Sequence, residues 1–213
     1  KSNPHAVSGR CNFLRGMEYA LNNGCSMINP ELTPGLETGE PEGFKSFEQL
    51  KEAVFKQVGN MLESTCERVK YWLKPAGRHE LRPYKSLLTQ GCLESGRDFN
   101  ERGAKYDYYQ IDFMGIPNLA DSLEAIRELI YKNKRYTLEQ LIYQLKNDWP
   151  DEAMRLDFLN KAPKFGNDIQ SVDSLAAEIV DYGCEKLREL SEKYGMDFHA
   201  QPFTFIWMIG EGE

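Results

Sequence analysis

Residues 87–109 read LLTQGCLESGRDFNERGAKYDYY, and two periodicities meet in them. From Pro83 toward Cys92 the chain reads as a helix that stops near Gly96. From Ala104 the run AKYDYYQIDF is rich in aromatic and β-branched residues and reads as a short strand. The passage from helix to strand makes the chain a mostly helical piece of an α/β protein rather than an all-helical one.

On the N-terminal side, Phe13, Leu14, Met17, Ala20 and Leu21 stand at helical spacing between Cys11 and Asn23, and Gly24 supplies a stop. Pro34, Gly35, Gly39 and Pro41 then mark a surface loop. Ser46 and Gln49 have the spacing of a capping box, opening a long helix whose apolar stripe (Leu50, Val54, Val58, Met61, Leu62, Thr65, Val69, Trp72) runs to about Leu73. The stretch KPAGRHELRPY is expected to break it. On the C-terminal side, Pro117 starts a helix with Leu119, Leu123, Ile126 and Ile130 on one face. Thr137 and Gln140 form another capping box, and Ser171 begins a helix carrying Val172, Leu175, Ile179, Leu187 and Leu190. The chain closes on an apolar, strand-like run from Phe203 to Ile209. A strand that apolar is normally buried on both faces of a sheet. The expectation is that it pairs with strands outside this chain, so that the chain is part of something larger.

Composition removes several function classes. The 213 residues are 41% hydrophobic and 28% charged, which suits a globular chain, and the net charge is −7. An acidic balance without clustered Lys or Arg argues against a nucleic-acid partner, since neutralising phosphates needs a basic patch. No apolar run approaches the roughly 18 residues a membrane span needs. The first ten residues, KSNPHAVSGR, show no apolar signal-peptide core, which leaves the cytoplasm as the expected location. The five cysteines lack any C-x-x-C pair and read as reduced thiols; the three histidines lack metal-ligand spacing.

Cys92 tempts a nucleophile reading. A reactive thiol needs a helix N-terminus or a nearby cation. Cys92 is expected near the end of its helix, where the dipole opposes a thiolate, and Glu94 opposes it further. It reads as a structural thiol.

Five strings in this order, MEYALNNG (17–24), LLTQGCLESGRD (87–98), RGAKYD (102–107), NLADSLEAI (118–126) and NKAPKFGND (160–168), resemble the glycyl radical enzymes. The resemblance is to their pyruvate formate-lyase-like, glycerol-dehydratase-like branch, and the pair ADSLEAI and APKFGND is its most specific part. It implies a helix-rich fragment of a ten-stranded β/α barrel, few of whose short strands lie here, with residues 1–213 forming part of one catalytic barrel domain. It also implies that no catalytic residue lies in this chain. The thiyl-forming cysteine of the family's G-C-x-E loop falls upstream of Lys1, and the radical glycine of its R-V-x-G-Y loop falls beyond Glu213. Gly91-Cys92-Leu93-Glu94 spells the first pattern out of register.

The implied activity is anaerobic thiyl-radical hydrogen abstraction, by a lyase or dehydratase cleaving a C–O, C–N, C–S or C–C bond of a small metabolite. Formate acetyltransferase chemistry is less favoured. The implied partners are the small-molecule substrate, the rest of the parent chain, a second copy in a homodimer, and an activating enzyme using S-adenosylmethionine and an iron–sulfur cluster to install the radical. No cofactor is expected to bind the chain itself. By register, His5, Ser8 and Arg10 enter the barrel and are the candidate substrate-binding residues. Imidazole exchanges protons near neutral pH, and a guanidinium holds a carboxylate with two hydrogen bonds. The competing reading makes them helix-entry residues, with Ser8 capping a helix that starts near Arg10. Arg102, Lys105 and FTFIWMIGEGE depart from the family pattern, which leaves the substrate subclass open. A different class stays beside this reading: a non-catalytic helical interaction module that binds a partner by strand addition through Phe203–Ile209.

Overall fold

The computed structural model describes residues 5–29, 31, 34–79 and 81–203, and of residues 5–7 and 72–79 it describes the backbone alone. The elements run β1 (His5–Asn12), α1 (Leu14–Ala20), α2 (Phe47–His79), α3 (Pro83–Leu88), α4 (Cys92–Ser95) and β2 (Tyr108–Met114), then α5 (Ile116–Ile126), a π turn (Arg127–Lys132), α6 (Leu138–Lys146), α7 (Glu152–Asn160), α8 (Gln170–Tyr194) and β3 (Asp197–Phe203). They gather into two compact units.

The first unit holds Lys1–Cys11, Leu62–Phe113 and Cys184–Phe203. Its centre is a parallel three-stranded sheet in the order β1-β2-β3. The middle strand has the apolar sequence such a place demands: Tyr109, Ile111 and Phe113 are all buried. Pro202, which has no N–H to donate, sits in β3 at the edge. The second half of α2 rides directly on β1. A Cβ added at Gly9 would stand 2.7 Å from Thr65 Cγ2 and 3.0 Å from Ile111 Cδ1, so only glycine lets helix and strand approach this closely. Burial of side chains such as Leu62, Ile111 and Phe113 stabilises the unit by about 1.5–3 kcal/mol each. Phe198 of β3 lies beside Tyr109 on the same covered face, with ring centroids 6.1 Å apart.

The second unit holds Asn12–Met61 and Met114–Gly183. Its core is the expected set of helical stripes: Leu50, Val54 and Val58 of α2, Leu119, Leu123 and Ile126 of α5, and Val172, Leu175 and Ile179 of α8 are buried. The Pro- and Gly-rich loop is held by a side chain rather than by secondary structure. Gln57, fully buried, accepts the Leu36 N–H at 2.9 Å and donates to the Leu36 carbonyl at 2.7 Å. The Thr137/Gln140 box forms as expected, at 3.2 and 2.9 Å.

Three expectations are corrected. The chain enters as a strand, so the first helix begins at Leu14, and Ser8 lies inside β1 and cannot cap it. Apolar residues at 13, 14, 17, 20 and 21 mark only the helical part. α2 continues past Leu73, through Pro75, to His79. The helix drawn from Pro83 to Gly96 is two short ones, parted where Gly91 takes φ +102°. α7 was not foreseen: Pro150 obscures a start at which Asp151 Oδ1 accepts the Met154 N–H at 3.1 Å. Among the described residues the last strand is β3, Asp197–Phe203; of the expected strand Phe203–Ile209, residues 204–209 lie outside the described residues.

Candidate functional site

The sheet of the first unit has two unlike faces. Successive side chains of a strand point to opposite sides. Gly9, Ile111 and Phe198 mark the side covered by α2. Arg10, Gln110, Asp112, Tyr108 and His199 mark the other, as their mutual contacts show. Four polar side chains and one tyrosine on one face of a small sheet are not what a packed core selects.

Asp112 is the centre of this face. It is 0% exposed, although it sits in a strand whose neighbours Ile111 and Phe113 are apolar. One carboxylate oxygen, Oδ1, accepts a hydrogen bond from Gln110 Nε2 at 3.1 Å. The other, Oδ2, has no hydrogen bond among the described residues. Among the described residues Arg10 on β1 faces it, with Nε 3.7 Å away, too long for a hydrogen bond. A buried acceptor left unfilled costs about 1–3 kcal/mol, and more when charged. The Arg10 side chain is 55% exposed, so the guanidinium reaches open space while its inner edge faces the carboxylate. Beyond β2, Tyr108 stacks on His199 at 4.5 Å, and His199 Nε2 lies 3.0 Å from Asp197 Oδ1.

The structure therefore puts Arg10 on the polar face and leaves Ser8, two residues earlier and half-buried, at the same strand parity. His5 begins β1, and its side chain is not among those described. Asp112, Gln110 and His199 escaped the sequence reading. For the first two the signal was present: polar residues at 110 and 112 alternate with Tyr109, Ile111 and Phe113, the period-two pattern of a strand with one polar face. His199 carried no local signal, since only pairing with β2 brings it to Tyr108.

The thiols have the character of structural groups. Cys11 and Cys66 are buried, and burial pushes both up to about 12. Cys92 is also raised, by burial first and then by the charges of Asp98 and Glu94. It opens α4 rather than ending a longer helix, so the dipole argument against it does not hold, but burial and the two carboxylates do. Among the described residues no group of three or more His, Cys, Asp or Glu side chains is placed to hold a metal ion.

A consequence is testable. Cys11 and Cys66 are expected to resist iodoacetamide at pH 8 in the native protein and to react on unfolding. Because their folded values exceed the ordinary thiol value of 9.0, their contribution to stability is complete below pH 9 and is lost as the pH rises toward 12. Double replacement of Cys11 and Cys66 by alanine should flatten that alkaline loss in a urea titration; an unchanged profile would refute the assignment.

Comparison with known proteins bears on the chain as a whole. The family described as pyruvate formate lyase-like matches residues 1–209. The chain is 31% identical over 176 residues to a trans-4-hydroxy-L-proline dehydratase of Clostridioides difficile, covering 82% of this chain and 22% of the relative. It is 29% identical over 199 residues to an isethionate sulfite-lyase of Oleidesulfovibrio alaskensis, covering 91% and 24%. Among solved structures, it matches hydroxyproline dehydratase from C. difficile with TM-score 0.84 and 28% identity over 91% of this chain. It matches the B12-independent glycerol dehydratase from Clostridium butyricum with TM-score 0.81 and 26% identity over 90%. In both, it covers 24% of the solved chain. The chain thus spans about a quarter of the length of the relatives it matches.

Proposed function

The chain belongs to the pyruvate formate lyase-like family of glycyl radical enzymes, and from that premise we propose that residues 1–213 are part of one catalytic barrel domain of a dehydratase or lyase acting on a small polar metabolite. In this reading the thiyl-forming cysteine and the radical glycine belong to other parts of the parent polypeptide. The match to about a quarter of each relative supports it, as does the absence of an R-V-x-G-Y string from the sequence.

The observation that carries the site is the polar sheet face, where exposed Arg10 stands over a fully buried, half-satisfied Asp112. Arg10 presents a planar fork to an oxyanion of the substrate, and Ser8, at the same strand parity, adds a hydroxyl on that face, whereas His5 begins the strand at the opposite parity. The radical, installed by an S-adenosylmethionine-dependent iron–sulfur activating enzyme, supplies hydrogen-atom abstraction. What this chain supplies is the binding of the anionic end, its orientation, and a wall that keeps water away from the substrate. The sheet's other face, closed by α2, gives that wall its rigidity. Among the described residues no helix is long and apolar enough to cross a membrane, and we place the enzyme in the cytoplasm, as a homodimer of the full-length chain. The interaction-module reading rests on the apolar run Phe203–Ile209, most of which lies outside the described residues, whereas the family match covers residues 1–209.

The test uses the full-length protein. Anaerobic incubation with its activating enzyme, S-adenosylmethionine and reductant should produce a glycine-centred doublet by electron paramagnetic resonance. Exposure to air should erase the doublet and cleave the chain at a site outside residues 1–213. A protein that never acquires the doublet with a competent activating enzyme would end the enzymatic reading.

A further inference from the structure

We propose that Asp112 is a positioning residue: it tethers the inner edge of the Arg10 guanidinium so that the outer edge is aimed at an anionic group of the substrate. The proposal rests on the reading of Arg10 given above and assigns the residue that makes it work. Three observations converge on it. Asp112 is 0% exposed, so it is not itself the group a ligand first meets. Its Oδ1 is fixed by Gln110, which sets the plane of the carboxylate and leaves Oδ2 turned to Arg10. Oδ2 lacks any hydrogen bond among the described residues, and Nε of Arg10 faces it at 3.7 Å.

The geometry decides which edge of the guanidinium is used. An arginine that points Nε toward one carboxylate has its two terminal Nη groups left for another oxyanion, and that edge matches a carboxylate or sulfonate with two parallel hydrogen bonds. A long, half-exposed side chain without such a tether would lose rotamer freedom on each binding event. Asp112 removes part of that loss beforehand. Its own charge works in the opposite direction, since a buried carboxylate repels an incoming anion. At 3.7 Å from Nε it sits on the far side of the cation from the ligand, so the guanidinium is the nearer charge and attraction prevails. The substrate class this fits is a small metabolite with one anionic end.

The test uses the unactivated full-length protein and three probes: trans-4-hydroxy-L-proline and isethionate, which carry an anionic group, and glycerol, which does not. Affinities are read by calorimetry for the wild type, Arg10→Ala, Asp112→Asn and the double variant, with thermal unfolding to verify that each is folded. The wild type should bind at least one of the anions more tightly than glycerol. Arg10→Ala should weaken it roughly ten- to hundredfold, the loss of a charged hydrogen-bonding group. Asp112→Asn should weaken it about tenfold, and adding Asp112→Asn to Arg10→Ala should change nothing further, because a residue that acts through Arg10 has no effect without it. Asp112→Glu should recover part of the loss. If Asp112→Asn leaves anion binding unchanged or tightens it while Arg10→Ala abolishes it, the carboxylate is only a competing charge and the positioning role is overturned. If glycerol alone binds and Arg10→Ala has no effect, the anion reading of Arg10 falls, and Asp112 with it.

Discussion

Replacing Glu124 by leucine is expected to destabilise the second unit by roughly 3 kcal/mol, the low end of the cost of breaking a buried ion pair from one side, because the Arg127 side chain keeps 23% exposure. Glu124 is 0% exposed and sits in the last turn of α5. One carboxylate oxygen pairs with Arg127, one turn on; the other accepts the hydroxyl of Ser171 at 3.0 Å. Arg127 in turn donates to the Ser171 carbonyl at 3.2 Å and lies over the Phe47 ring at 5.4 Å. Its Nε is already buried without a hydrogen bond, so removing the carboxylate leaves a cation with little compensation. Adding Arg127→Met to Glu124→Leu should recover much of the loss, because an apolar pair is often as stable as the ionic one it replaces. Hydrogen exchange over residues 116–132 and 170–175 resolves the effect locally, which a single midpoint for a long multi-unit chain does not. If Glu124→Leu leaves protection there intact, the clasp is not structural.

That clasp also explains why two strings forty residues apart identified the family. Asp121, in ADSLEAI, accepts the Phe165 N–H of APKFGND at 2.7 Å, while Glu124 of the same helix turn reaches Ser171, just beyond APKFGND. ADSLEAI and APKFGND are two sides of one junction. The sequence made the strings visible, and the helical period placed Leu119, Leu123 and Ile126 on the buried face. What it did not show was which acidic residue turned inward, because Asp121 and Glu124 look like ordinary exposed charges until α8 arrives. The sheet face fails to be legible for a like reason. Arg10 was reachable only from the register of the family resemblance, its partner Asp112 is about a hundred residues away in sequence, and only the β1–β2 pairing brings the two together. Local patterns carried the helices; long-range pairing carried the site.

Replacing Gly91 by alanine should cost about 3 kcal/mol or more, whereas replacing Cys92, its neighbour, by alanine should cost about 1 kcal/mol and leave the radical doublet and turnover of the full-length enzyme intact. The two residues share the string that spells the family's reactive loop, and the structure shows what the string does here. Gly91 holds φ +102°, a conformation that penalises any side chain. A Cβ there would stand 2.3 Å from the Lys105 backbone nitrogen, an atom fixed by its own 2.8 Å hydrogen bond to the Gln90 carbonyl. Neither side can retreat, since the Gly91 N–H is tied to Glu94 Oε2 at 2.9 Å and Ser95 Oγ to the Gly103 carbonyl at 3.1 Å. Glu94 is thus the partner of the turn and not of a thiol. Cys92 contributes only a small buried side chain, 3% exposed, whose thiol burial and two acidic neighbours keep protonated. Hydrogen exchange at residues 91–105 reads the first effect, and turnover of the activated full-length protein reads the second. Loss of turnover in Cys92→Ala with the glycine-centred doublet retained would make this thiol the reactive one and overturn the register on which the missing loop was placed. Loss of protection in Gly91→Ala, with turnover kept in Cys92→Ala, is the pattern a tight structural turn demands.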